Sequence, residues 1–135
     1  MEIDGQCHCG KIRYRAVIDP GNVVICHCTD CQSLSGSAFR TVAFTAPASF
    51  EVLRGTIKTY VKTADSGNPR EQGFCPECGS AIYATAPGNG PKVYGLRVGT
   101  IAQRAALAPT RQLWHRSALS WVDDIGDLPA VDGQS

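Results

Sequence analysis

The chain is 135 residues long, with 43% hydrophobic and 19% charged residues, a composition that suits one globular domain with a real core and excludes a disordered chain. Thirteen Lys and Arg against 12 Asp and Glu leave a formal charge of +1, so no global field draws the chain to nucleic acid or to an anionic membrane. No apolar run approaches the ~20 residues that span a bilayer, and the first residues lack the basic and apolar regions of a signal peptide; the expectation is a cytoplasmic protein with no membrane partner.

Residues 11–18 open as strict alternation, with Lys11, Arg13 and Arg15 on one face, which predicts a half-exposed antiparallel strand. Asp19-Pro20-Gly21-Asn22 reads as a turn, and Val23-Val24-Ile25 then leads into a cysteine cluster. Residues 29–34 suit a short helix capped by Thr29 and ended by Ser35-Gly36-Ser37. Residues 38–46 and 49–53 are strand-like, divided at Pro47. Residues 57–63 alternate again, setting Ile57, Thr59 and Val61 opposite Lys58, Tyr60 and Lys62, and 65–69 form a loop. Residues 81–85 and 92–98 are further strands around the Pro87–Pro91 turn. Residues 101–107 favour a helical turn through their alanines, and 112–116 and 119–122 read as late extended pieces. Turn signals this frequent predict a mostly β single domain, a sandwich or folded-over antiparallel sheet rather than βαβ units.

Cysteine is the outlier. Seven thiols without an export signal imply a reducing compartment, and they fall into three tight clusters: Cys7-His8-Cys9, Cys26-His27-Cys28-Thr29-Asp30-Cys31 and Cys75-Pro76-Glu77-Cys78. Such spacing brings neighbouring thiols close enough to grip one ion, and zinc is the metal best suited to thiolates alone. Seven divides naturally into four plus three. The Cys75/Cys78 knuckle needs two more ligands, and the Cys7/Cys9 turn, also followed by a glycine, supplies them in a closed structural site. Cys26, Cys28 and Cys31 then hold a second ion with a fourth position open, the mark of a catalytic site. Two other arrangements stay open: Cys7/Cys9/Cys26/Cys28 with Cys31/Cys75/Cys78, or closure of the three-cysteine site by His8, His27 or His115.

Three thiolates around a divalent ion carry a net negative charge and suit a soft incoming ligand such as another thiolate, so the site can assemble a small thiol with a small carbonyl electrophile. Ser33, Ser35, Ser37 and the Gly36 backbone lie just after the triad and are candidate donors to a carbonyl or carboxylate, and Arg40 is a candidate partner for a carboxylate. Residues 92–116 carry five basic side chains and no acid, a solvated face or a source of arginines for a small anionic ligand. Trp114 and Trp121 read as packing residues.

Gly5-x-Cys7-x-Cys9-Gly10, Cys26-His27-Cys28-x-x-Cys31 with Ser35-Gly36, and Phe74-Cys75-Pro76-x-Cys78-Gly79-Ser80 resemble the glutathione-dependent formaldehyde-activating enzyme family, which also includes centromere protein V. Trp121 and Asp127-Leu128-Pro129 are similar to that family's C-terminal segment, so the likeness runs over residues 4–130 as one domain, with 131–135 a tail. The resemblance implies a β-tent fold with two zinc ions per chain, one structural on Cys7, Cys9, Cys75 and Cys78 and one catalytic in type on Cys26, Cys28 and Cys31. It implies a carbon–sulfur lyase that condenses formaldehyde with glutathione to S-hydroxymethylglutathione. Gln32 stands where many members carry a basic residue. Two other functions fit the same clusters: a non-catalytic zinc module that binds a partner, and a thiol-based sensor of electrophiles or oxidants.

Overall fold

The computed structural model describes residues 1–135. Strand β1 (Glu2–Gln6) pairs antiparallel with the first half of the 14-residue strand β2 (Arg13–Cys26), placing Gly5 opposite Tyr14. Tyr14, Ala16 and Ile18 are buried while Arg13, Arg15 and Val17 are exposed, as the alternation predicts for a strand whose successive side chains point to opposite faces. A Cβ at Gly5 would penetrate the Tyr14 ring. Glycine there lets the ring pack against β1, where its hydroxyl meets Thr100 Oγ1 at 2.7 Å.

The turn expected at Asp19-Pro20-Gly21-Asn22 is instead a bulge inside β2. The register against β3 (Arg40–Thr45) jumps between Ile18 and Val23, because Pro20 has no N–H to give the ladder. Asp19 Oδ1 takes the Gly21 N–H locally at 2.9 Å. The strand thus passes from one sheet to another without breaking. Its first half holds β1 and β4 (Glu51–Arg54), and its second half holds β3 and, in parallel, β9 (Arg111–Leu113). Beyond β3 the sheet continues through β8 (Gly95–Arg97), β7 (Ala81–Thr85), β6 (Pro69–Phe74) and β5 (Lys58–Thr63). The mostly antiparallel sheet agrees with the mostly β single-domain class read from sequence.

Other elements depart from expectation for local reasons. The strand expected over 92–98 shrinks to Gly95–Arg97, since Lys92 turns back to donate to the carbonyls of Ala86 and Gly88 at 2.9 and 2.7 Å. β6 starts at a proline, as a strand's first residue can, and was hidden in sequence by the loop before it. β5 is an edge strand, so its alternation buries neither face and only Lys62 is partly covered. The piece expected over 112–116 is extended only to Leu113; Trp114 takes a left-handed conformation (φ 55°), and a 3-10 turn follows at His115–Ser117. Residues 119–122 are not extended, but lead into a 3-10 turn at Val122–Asp127.

The sheet has two unlike faces. One packs the core, with Ile3, Val23, Ala43, Tyr83, Leu96 and Ile101 in a cluster of 15 buried residues. The other carries, through successive cross-strand pairs, Cys26 with Arg40, Val42 with Arg97, Gly95 with Ala84, Ala84 with Gln72, and Gln72 with Tyr60. Two residues along the last two strands, Lys62 and Arg70 extend the same face. The helix α1 (Thr29–Ser35) is tied to this face by an ion pair between Asp30 and Lys62. Its cap is Cys28 rather than Thr29: the chain is still extended at Cys28, whose Sγ accepts the Cys31 N–H at 3.2 Å. Gly36 ends the helix with its N–H on the Gln32 carbonyl at 2.9 Å.

Candidate metal centres and an adjoining cleft

The fold gathers the seven thiols into two groups, Cys7, Cys9, Cys75 and Cys78 in one and Cys26, Cys28 and Cys31 in the other, with the sulfurs of each group within 4.8 Å of one another. The first group is built from two similar turns. Gly10 N–H returns to the Cys7 carbonyl at 3.1 Å and Gly79 N–H to the Cys75 carbonyl at 2.9 Å. Both glycines sit at positive φ, 79° and 78°, where a side chain would be strained. The Ser80 hydroxyl joins the turns, accepting the His8 N–H at 3.0 Å and lying 3.3 Å from Cys78 Sγ. That hydroxyl, with the Ser80 and Cys9 amides, pulls the Cys78 thiol down to about 5.

A divalent ion bound to four thiolates at ~2.3 Å defines a tetrahedron with edges of about 3.8 Å. Cys7 Sγ and Cys9 Sγ are 3.6 Å apart, and Cys9 Sγ and Cys75 Sγ 3.8 Å, so two of the six edges match that tetrahedron and the donor set fits a metal. In the second group Cys26 ends β2, Cys28 caps α1 and Cys31 occupies the first helical turn. Cys31 is pushed down to about 5, first by the hydrogen bond from the Cys26 thiol and then by the charge of Arg40 beside it. Cys26 is raised correspondingly, through sharing its proton with Cys31 and through burial. Depressed thiols of this kind are ready-made metal ligands.

None of the three histidines joins either group. His8 is exposed, and His115 is packed edge-on against His27. His27, fully buried between two cysteines, turns its ring away from them to hydrogen-bond Gln112 Oε1 through Nε2 at 2.7 Å. Gln32 binds the carbonyls of both His27 and Ser117, at 2.9 and 3.0 Å, and so joins the cluster loop to the C-terminal segment. Sequence reasoning had given it no role.

Two adjoining hollows of about 410 and 400 Å³ run past the end of α1 and share Leu34, Arg40, Gly79 and Ala81. Ser35 and Arg97 line the first, and Gln72 and Tyr60 the second. Of the residues singled out after the triad, Ser35 and Arg40 reach this cleft. Gly36 and Ser37 lie in the turn, where the Ser37 N–H bonds Ser35 Oγ at 3.2 Å. Arg40 is not an open strand arginine: it is 8% exposed, as is Arg97, and both donate to Gln72 Oε1, at 3.3 and 3.1 Å. Burial and the charge of Arg40 push Arg97 well down, to about 9, still protonated at neutral pH. Gln72 was missed in sequence, and Arg97 was read only as one of the five basic residues of 92–116.

A crystal structure of a Rhodobacter sphaeroides protein has a similar fold (TM-score 0.61, 19% identity), covering 81% of this chain and 98% of that one. A Halomonas elongata protein named for a glutathione-dependent formaldehyde-activating enzyme is 30% identical over 91 residues, 64% of this chain and 58% of its own length. An uncharacterised lyase of Schizosaccharomyces pombe is 29% identical over 82 residues, 61% of this chain and 56% of its own length. The matched region thus spans little more than half of either relative. The family model described as glutathione-dependent formaldehyde-activating enzyme matches residues 2–117, a span that contains all seven clustered thiols, and the chain belongs to that family.

Proposed function

We propose that this chain is a carbon–sulfur lyase that joins or cleaves a thiol–aldehyde adduct of the S-hydroxymethylglutathione kind. In this reading Cys7, Cys9, Cys75 and Cys78 hold a structural zinc, and Cys26, Cys28 and Cys31 hold a second zinc at the reaction site. The observation that carries the reading is the asymmetry of the two groups: one supplies four thiols, whereas the other supplies three, with no histidine or carboxylate joining them, and Arg40, the cross-strand partner of Cys26, leads from those three to the cleft. When bound there, zinc supplies deprotonation and positioning of an external thiol.

The protein's own groups shape the rest. The cap from Cys31 N–H to Cys28 Sγ and the pairing of Cys26 with Arg40 hold the three sulfurs on rigid elements. Arg40 and the Ser35 hydroxyl line the cleft and orient the substrate, while Gly36 and Ser37 shape the turn that carries Ser35. In the synthetic direction the substrate sulfur bonds to the aldehyde carbon, the carbonyl π pair moves to oxygen, and the thiol proton ends on that oxygen as the hydroxyl; cleavage is the reverse.

The test is magnetisation-exchange NMR on glutathione plus formaldehyde with the native protein and Cys28→Ala. Acceleration by the native protein and none by the variant is expected. No acceleration from fully metal-loaded native protein would discard the formaldehyde reading and favour a binding module.

A further inference from the structure

Arg40 and Arg97 approach each other from neighbouring strands on the sheet face that carries Cys26. Both guanidinium groups share one neutral acceptor, Gln72 Oε1, and the Nε atoms of both are buried without a hydrogen-bond partner. No carboxylate pairs with either: the ion pairs of the chain use Lys11, Arg15 and Lys62. Glu71, next to Gln72 in sequence, belongs to the opposite face and accepts the Tyr83 hydroxyl at 2.7 Å. Arg70 adds a further cation on the same face as Gln72.

Buried charge is costly unless paired, and the thiols do not pair it fully. Three thiolates around a divalent ion carry −1 against +2 from the two arginines, so the face keeps a surplus positive charge. Both arginines line the hollow beside Ser35, and Arg40 also lines its neighbour. Of the other basic residues in the acid-free stretch 92–116, Arg111 bonds Asn22 at 3.0 Å and Arg116 stacks over Trp114 at 4.6 Å. Arg97 is the one that lines the cleft, together with Arg40, the cross-strand partner of Cys26.

We infer that Arg40, Gln72 and Arg97 form an anion seat that takes a carboxylate carried by the substrate thiol, so that the centre selects carboxylate-bearing thiols over neutral ones. The inference rests on the thiol–aldehyde reading above. Planar guanidinium groups match a carboxylate two bonds at a time. Gln72 holds the pair without quenching its charge, which leaves N–H groups for a ligand.

The test compares two thiols of nearly the same shape, 3-mercaptopropionate and 2-mercaptoethanol, with propionate as a carboxylate lacking the thiol and sulfate as a free oxyanion. Binding to metal-loaded protein is read by calorimetry and by competition. The carboxylate thiol is expected to bind at least about tenfold tighter than the neutral one, the scale of a charge-assisted hydrogen bond, and propionate to compete with it. Gln72→Glu places a carboxylate between the two guanidinium groups without removing either. It is expected to cut the preference to about twofold or less with bound metal unchanged.

Equal binding of the two thiols by native protein, or a full preference that survives in metal-loaded Gln72→Glu, overturns the seat. Should Gln72→Glu fail to fold or to hold metal, the arginine Nε–H resonances of the native protein decide: movement of those of Arg40 and Arg97 on adding propionate supports the seat, and their constancy overturns it. Sulfate competing as well as propionate, with no gain from the thiol, overturns the link to a thiol substrate. A carboxylate preference without formaldehyde exchange keeps the seat and discards the lyase reading; exchange without preference does the reverse.

Discussion

Asp30 Oδ2 and Lys62 Nζ lie 2.5 Å apart, an ion pair that fastens the cysteine-bearing helix to the outermost strand of the sheet. Lys62 is 17% exposed and Asp30 45% exposed, so solvent screens the pair on one side and its worth is about 1 kcal/mol. Its greater effect is positional, because α1 is only seven residues long and isolated helices of that length are unstable. Lys62→Met is expected to lower the thermal midpoint by only a few degrees while weakening metal retention at Cys28 and Cys31. Metal content after dialysis against a chelator, compared with the native protein, checks this; unchanged retention would show that the helix needs no such tether.

Gly5→Ala tests the contact between the first two strands. The added methyl meets the Tyr14 ring, whose hydroxyl is fixed on Thr100, so ring or strand must move. The expected cost is about 1–3 kcal/mol, read as a lower urea midpoint at unchanged slope. Tyr14→Phe in the same background relieves the tether and should recover part of the loss.

Acid should release metal most steeply where the two lowered thiols titrate. Cys31 and Cys78 both stand near 5 instead of the ordinary 9.0. A lowered thiol binds fewer protons in the native than in the unfolded state, so its stabilising contribution is full above about 9 and is lost as the pH falls through about 5. Metal release followed with a chromogenic chelator is therefore expected to steepen as the pH falls through about 5, where Cys31 and Cys78 take up their protons. Arg40→Gln removes one of the influences that lower Cys31, so release from the three-cysteine group should move to higher pH, with the four-cysteine group unaffected.

The two groups should differ in what they do for the fold. Cys7 and Cys75 stand 68 positions apart, and their turns meet through Ser80, so an ion there joins distant chain segments. Structural zinc contributes on the order of 10 kcal/mol, comparable to the whole stability of a domain at ~5–15 kcal/mol. Cys78→Ser, an exposed position, is expected to leave the protein largely unfolded. Cys28→Ser keeps a good helix cap, costs at most about 1 kcal/mol, and should fold with one metal fewer. Circular dichroism alongside metal analysis separates the outcomes; two folded variants would make both ions dispensable to the fold.

The cysteine spacing announced two groups, and the alternation at Tyr14 and Ala16 announced a strand with one buried face. Both signals are local: a tight turn and a period of two. The Asp19–Asn22 bulge was misread because a proline and a glycine together look alike whether a strand ends or merely changes sheets. Gln72 escaped notice, and Arg97 could not be told from the other basic residues of 92–116, because their significance lies in cross-strand register. Three strands separate in sequence set them beside Arg40, and no pattern within any one of those strands says so. Cys28 displaced Thr29 as cap because a sulfur can accept an N–H, a role usually looked for in oxygen.

The sharing of β2 between two sheets governs the order in which the chain can be completed. Cys7, Cys9, Cys26, Cys28 and Cys31 all leave the ribosome before Cys75 and Cys78, an interval of several seconds at ~5–20 residues per second. The parallel partner of β2, Arg111–Leu113, comes later still. For that time the early thiols have only one another, and an ion captured then meets a ligand set that the finished fold must undo. Refolding with metal present from the outset should accordingly be slower than refolding with metal added after collapse, and the difference should vanish when Cys26 and Cys28 are both replaced by serine.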